Sequence, residues 1–528
     1  MSTETFDRIL WVVLDGFGHE HARRLLEAPG RFPALERIAR DGHLGACRPP
    51  GPVCQTPPAL LALFTGTDPV ENGVWGYKVP DVDGRLESSV SGFAVERRAG
   101  TAIWEDLEAS GRTFSIMNVG FRRDRVWSDP FPHLAFAYDG YRNLRFPSSL
   151  DVHPGASRIA FQGIDLEVRR RLDRVELRRG NRLLVRLAAG EAANVPLTRG
   201  TRAWAHLLSA GSLSLYPESP ALVRLGSAAS AAAGRPPGAE GFRDMSAFRR
   251  ARRLLERARD GETVTVESEL LPARAALQQK LDLVHWSVRN TPASVTICYV
   301  SLMDEFNHTW FHLCEPAPSD PRAGRLFLAC GQMIDGFLSS LMAQADRDTL
   351  LVVSSDHGAL PFRRLLHLNE AFADAGLVRR AGTAYDHARS AVWYHASDCG
   401  QVVVNEREAQ RRGLALPALR AAARAAVERA NAAHGARIAV LEPGPSDPFL
   451  LYLYPESDTY FTGDPPSPGR PALNPHRSGG HHLSPLTPDA WIDALLALWS
   501  PRPGARAADG APARSTEVKE FLLGRLSR

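Results

Sequence analysis

No stretch of this 528-residue chain reaches the roughly 18 to 20 continuous apolar residues that a membrane-spanning helix needs. Cysteine is scarce as well. The six residues Cys47, Cys54, Cys298, Cys314, Cys330 and Cys399 are scattered without a C-x-x-C pair, which excludes a thiolate metal cluster and a dense disulfide framework. They read as reduced, structural residues. A large charge imbalance is missing too: 63 lysines and arginines stand against 59 aspartates and glutamates, a net of +4, too little for this length to mark a nucleic-acid protein. The opening segment "MSTETFDRILWVVLDGFG" has no basic stretch, and its short apolar run ends at Asp15, so it reads as a strand and not as a secretory leader. These absences together predict a cytoplasmic protein whose partners are neither nucleic acid polymers nor membranes.

What is present is a globular composition, 44% hydrophobic and 8% aromatic, with ample material for a large core. "RILWVVLDG" (8–16), "VTICYVSLMD" (295–304) and "DTLLVVSSDHG" (348–358) are continuous apolar runs, as expected for central parallel strands buried on both faces. Each run delivers an aspartate at its carboxyl end, the edge at which open α/β sheets bind ligands. "FPALERIARDG" (32–42) and "LACGQMIDGFLSSLMAQA" (328–345) carry helical spacing between them. The predicted fold is therefore α/β, a mostly parallel central sheet flanked by helices. Residues 1–150 and 241–500 are assigned to two parts of one catalytic core.

Residues 151–240 read as a β-rich insertion and linker, because 157–225 alternates and is broken by turns, while "GSAASAAAGRPPGAEG" (226–241) is small and rich in Pro and Gly. The arginine runs at 169–186 and 248–262 are interleaved with acids and apolar residues, and read as solvated faces of strands and of a helix. Residues 501–528 read as a linker and a short, separate C-terminal helix.

The residues that carry chemistry are few. Asp304 and His308 stand four apart in "DEFNH", so one helical turn aims both at one point. Asp356 and His357 are adjacent at a strand end, and "HRSGGHH" (476–482) brings His481 and His482 in a glycine-rich loop. Carboxylates and imidazoles without thiolates suit zinc, manganese or a mixed divalent pair. Cations would also relieve the mutual repulsion of carboxylates gathered at one sheet edge. Thr56, in "PVCQTPPALLALFTG" (52–66), is placed either to cap a helix or to do chemistry, since Thr followed by Pro is a good helix start.

With Asp15 in "VVLDGFG", Thr56 two residues before Pro58 and ten before Gly66, "D-x-x-x-H" at Asp304 and His308, and Asp356-His357-Gly358, the chain resembles the alkaline phosphatase superfamily, in its type I phosphodiesterase/nucleotide pyrophosphatase branch. The resemblance covers residues 7–80, about 290–410 and the loop near 480, in the family's order. It implies an alkaline-phosphatase-like sheet and a hydrolase of phosphoric ester or anhydride bonds acting on a small molecule. It implies two divalent metal ions, zinc or manganese: one held by Asp304, His308 and His481 (or His482), the other by Asp15, Asp356, His357 and the oxygen of Thr56. Thr56 is then the nucleophile, forming a phospho-threonine intermediate. The helix it opens would aim N-terminal N–H groups at the phosphate.

Two positions depart from the family's pattern. Asn72 replaces a loop histidine, and Tyr77 stands eight residues after Pro69, where relatives place an asparagine; a tyrosine hydroxyl can donate one hydrogen bond there. The sulfatase register is absent, because Thr56-Pro57-Pro58-Ala59-Leu60 lacks both the Cys or Ser and the arginine. Trp75, Tyr77 and Trp310, with Phe311, are candidates to stack on a substrate ring.

Overall fold

The protein is described by a computed structural model covering residues 4–80, 89–121, 124–127, 130–139, 148–151, 155–161, 163–171, 174–188, 191–198, 202–209, 212–217, 222–225, 266–314, 320–395, 400–444, 447–456, 458–475, 480–481, 486–487, 489–505 and 507–527. The linker at 226–241, the arginine run at 248–262, Cys399 and His482 lie outside the described residues.

The apolar runs form the centre of an eight-stranded sheet. Its order is Leu222–Leu225, Leu134–Asp139, Phe114–Met117, Val295–Val300, Arg8–Leu14, Thr349–Ser354, Ala494–Trp499, His43–Cys47. The five strands from Leu134–Asp139 to Thr349–Ser354 are parallel neighbours, and antiparallel pairings occur only towards the two edges. Period-two alternation along the first strand serves two cores at once. Leu10, Val12 and Leu14 pack under helices Pro33–Asp41, Leu302–Trp310 and Pro321–Met342, while Ile9, Trp11 and Val13 face helices Thr56–Thr65 and Ile103–Ala109. A strand with both faces covered has no room for polar residues, which is why its sequence reads as a continuous run.

A further layer, built on strands Val392–Tyr394, Gln401–Val404, Ile438–Leu441 and Leu451–Pro455 under helix Leu416–His434, has its own apolar core. The predicted β-rich insertion is two four-stranded antiparallel sheets around a fourth core that includes Leu166, Val168, Leu177, Leu207 and Leu215. Its strands begin at Ser148 and end at Pro217. Leu222–Leu225, expected within the insertion, instead joins the edge of the central sheet by pairing with Leu134–Asp139. The C-terminal helix is likewise not separate. Val518 and Leu522 of Val518–Arg525 are buried with Leu60 and Phe64, and the buried Lys519 ammonium donates to the Thr65 and Thr101 carbonyls. A cation there meets the negative end of the Thr56 helix.

Candidate active site

The site lies at the carboxyl ends of the central strands. Asp15 follows strand Arg8–Leu14, and Asp356 and His357 follow Thr349–Ser354. Asp304 is not a strand-end residue as expected but lies in the first turn of helix Leu302–Trp310, with His308 one turn later. The His308 Nε2 to Asp304 Oδ1 distance of 3.3 Å shows that the four-residue spacing does turn both towards one point.

Close approach of this helix depends on Gly16. At its φ of +66° a Cβ would stand 2.8 Å from Asp304 Cα, so a side chain would push the helix off the loop. The gap is closed by hydrogen bonds: Asp304 N–H donates to the Asp15 carbonyl at 3.1 Å, and Asn307 Nδ2 donates to the Gly16 carbonyl at 2.8 Å. Asn307 Oδ1 in turn meets Nε2 of the buried His21 at 3.0 Å.

Three groups converge on one point. One ligand atom each of Asp15, Asp356 and His357 lies within 4.8 Å of the others, and all three side chains are buried. His357 Nδ1 is directed at its neighbour's carbonyl, Gly358 O, at 2.8 Å, which assigns the proton of the neutral ring to Nδ1 and turns the Nε2 lone pair inward. That nitrogen faces Asp15 Oδ1 at 3.4 Å and Asp356 Oδ2 at 3.3 Å. Neither oxygen has a hydrogen-bond donor among the described residues. The opposite oxygens are held: Asp356 Oδ1 accepts from Gly16 N–H at 3.2 Å, and Asp15 Oδ2 accepts from the Tyr299 hydroxyl.

Electron-rich atoms turned towards one another in a buried site, each anchored from behind, form a donor set that a divalent cation fits. Burial, followed by the charge of Asp304, raises the Asp356 carboxyl above the usual carboxylate range; burial and the charges of Asp304 and Asp356 do the same to Asp15.

Thr56 joins this cluster. It is the first residue of helix Thr56–Thr65, Gln55 takes the cap position, and no side-chain cap bond is made. Its Oγ1 lies 3.3 Å from His357 Nε2 instead. The expected row of helix N–H groups is absent, because Pro57 and Pro58 have none and Ala59 N–H is spent on the Gln55 carbonyl. Thr56 alone retains an amide in that turn that the helix does not use, although the positive end of the helix dipole remains.

Tyr77 reaches the same place: its side chain interacts with that of Thr56, and burial of the hydroxyl, together with the nearby charges of Asp15 and Asp304, raises its pKa well above the ordinary phenol value. Tyr77 as a whole residue is 38% exposed, and its ring is edge-on to Phe93 at 5.6 Å. Trp75 is buried and edge-on to Phe449, and Trp310 is buried in the main core. Asn72 is a loop staple, donating to the Thr67 carbonyl and accepting from Val74 N–H.

His481 belongs to the short strand Gly480–His481, which pairs with Leu360–Pro361 and packs beside the Asp304 helix; its side chain lies outside the described residues. Tyr299, Asn307 and His21 carry no motif in the sequence. Asn307 directly precedes His308, and this is the one trace the sequence offers.

A family model described as type I phosphodiesterase / nucleotide pyrophosphatase matches residues 9–445, a span that holds Asp15, Thr56, Asp304, His308, Asp356 and His357. No curated protein matches the sequence. Among solved structures, the chain is similar to murine ectonucleotide pyrophosphatase / phosphodiesterase 5 at 13% identity, covering 98% of this chain and 95% of that one with a TM-score of 0.49. It is also similar to phosphonoacetate hydrolase from Sinorhizobium meliloti 1021 at 13% identity, covering 99% and 96% with a TM-score of 0.48.

Proposed function

Because the chain belongs to the type I phosphodiesterase / nucleotide pyrophosphatase family and is a hydrolase of phosphoric ester or anhydride bonds, we propose that it cleaves a small-molecule phosphodiester with Thr56 as a covalent nucleophile. The observation that carries this reading is Thr56 Oγ1 at the start of a buried helix, 3.3 Å from His357 Nε2, beside Asp15 and Asp356 oxygens that no donor among the described residues satisfies.

Asp15, Asp356, His357 and Thr56 would hold one divalent ion, and Asp304, His308 and His481 a second, zinc or manganese in either place. Bound there, the ions would acidify the threonine hydroxyl and offset charge on the phosphoryl oxygens. Thr56 Oγ1 then gives up its proton and attacks phosphorus, the bond from phosphorus to the leaving oxygen breaks, and the departing alkoxide takes up a proton to leave as the alcohol. Water hydrolyses the phospho-threonine ester and restores the hydroxyl. The Tyr77 hydroxyl, kept protonated by its burial and by the surrounding carboxylates, donates to a phosphoryl oxygen. Tyr299 and the Gly16 amide hold Asp15 and Asp356 so that their remaining oxygens point inward.

The test is turnover of a bis-aryl phosphodiester, an aryl monoester and phosphonoacetate by the metal-loaded protein and by Thr56→Ala, with bound metal measured in parallel. Loss of turnover with metal retained supports the reading. Unchanged turnover removes Thr56 as the nucleophile, and activity that resists chelation removes the metal role. A monoester or phosphonoacetate turned over in preference to the diester replaces the substrate class.

A further inference from the structure

No described residue of the sandwich inserted between Leu134–Asp139 and Leu222–Leu225 belongs to the site, yet the charge of the sandwich is singular. Residues 155–188, which form its first sheet, hold nine arginines and four acids. That excess is larger than the +4 of the whole chain, so the rest of the protein is slightly acidic and the positive charge is gathered on this sheet.

Pairing register decides where the arginines go. Ala156, Arg169, Glu176 and Arg186 are cross-strand neighbours in one row; Arg158, Glu167 and Arg178 form a second, and Arg171 with Arg174 a third. The alternate positions Leu166, Val168, Val175, Leu177 and Leu187 fill the core, so these rows share the outer face. Six arginines there meet three carboxylates, of which Asp165, opposite Ala160, is exposed and the other two are already engaged. Glu176 is bonded by Arg186 and Arg178, and Glu167 by Arg169. Arg171 remains 69% exposed, 4.0 Å from Glu176, and Arg174 is exposed. At the hairpin end, where Gly180 and Asn181 turn the chain, Leu183 is 40% exposed beside Arg182.

We propose that this face docks on an anionic phospholipid surface. A broad array of arginines attracts phosphate headgroups at any lateral position, and an exposed leucine at its margin can enter the acyl boundary. Single-stranded nucleic acid is disfavoured because base stacking needs aromatic platforms, and the one ring in 155–188, Phe161, is buried in the sandwich core. Both chain connections to the sandwich leave the carboxyl edge of the central sheet, since Leu134–Asp139 runs parallel to its neighbours and Leu222 pairs with Asp139. The sandwich is thus tethered to the edge that carries Thr56 and its partners. No helix among the described residues is long and apolar enough to cross a bilayer, and surface docking needs no spanning segment.

The experiment is co-sedimentation of the full chain with phosphatidylcholine vesicles and with vesicles that also contain phosphatidylglycerol, over a salt series. Binding is expected only with the anionic lipid and should fall steeply with salt. Arg171→Ala combined with Arg174→Ala should weaken it about 25-fold, at about fivefold per arginine, and Leu183→Ser should weaken it further, with melting temperature and turnover of a soluble diester unchanged. Equal binding by the variants, absence of binding to anionic vesicles, or tight binding to a short oligonucleotide in place of vesicles would each overturn the proposal. Because turnover of the soluble substrate is read separately, failure here is distinct from failure of the catalytic reading.

Discussion

His21 provides a pH-dependent stability that can be measured directly. The ring is fully buried among Phe17, Phe311, Phe327 and Trp491. Since Asn307 Nδ2 is spent on Gly16, its Oδ1 is the acceptor, so His21 Nε2–H donates and Nδ1 is left bare. Nδ1 has no partner among the described residues, so a proton there would be a buried charge without an acceptor. Burial lowers the pKa to about 4 from an ordinary 6.5, against smaller opposing effects of the Asn307 bond and the Glu20 charge.

The unfolded chain therefore binds the proton as pH falls below about 6.5, while the folded chain resists until about 4. Stability present above 6.5 is lost across that window, by about 3 kcal/mol at 1.36 kcal/mol per pKa unit. His21→Gln keeps a donor for Asn307 and removes the titration. Urea unfolding of both proteins at intervals from pH 7 to pH 4 should show the wild type losing about 3 kcal/mol more than the variant. Parallel losses would mean that His21 is protonated in the folded protein and would refute the reasoning.

Three further substitutions probe the site and its supports. Tyr299→Phe deprives Asp15 Oδ2 of its donor, and divalent metal affinity, read by chelator competition, should fall about 10- to 100-fold; an unchanged affinity would show that Asp15 needs no orienting partner. In Gly358→Ala the new Cβ would stand 1.8 Å from the Trp491 carbonyl oxygen, backbone that cannot rotate aside, and denaturant midpoints should report a loss of about 3 kcal/mol or more. Wild-type midpoints would mean that the 489–493 segment yields. Lys519→Met removes donors from the Thr65 and Thr101 carbonyls and should cost about 1–3 kcal/mol, with a null result showing that solvent replaces the ammonium.

Much of the fold and of the candidate site was legible along the chain because its signals are local. Arg8–Leu14 reads as a doubly buried strand since both faces must be apolar, and the spacing of Asp304 and His308 is a helical turn wherever that helix lies. The two prolines after Thr56 are also in plain view, and they remove two of the helix amides expected to face the phosphate. Other features were hidden because they depend on neighbours distant in sequence. Tyr299 reaches Asp15 only because its strand lies next to Arg8–Leu14 in parallel register. His21 matters only because the Asp304 helix lies across the Gly16 loop.

By itself, then, the sequence determined the residue types, their spacing along strands and turns, the doubly apolar strands and the arginine-rich insertion, all of which are properties of neighbours in the chain. The tertiary structure decided which oxygens of Asp15 and Asp356 are held and which point inward, that the Thr56 hydroxyl meets His357 instead of capping a helix, and that the arginines share one outer face. Those outcomes depend on strand order and register. Hydrogen bonds and charges act over a few ångströms, and only folding brings atoms some 300 residues apart within that reach.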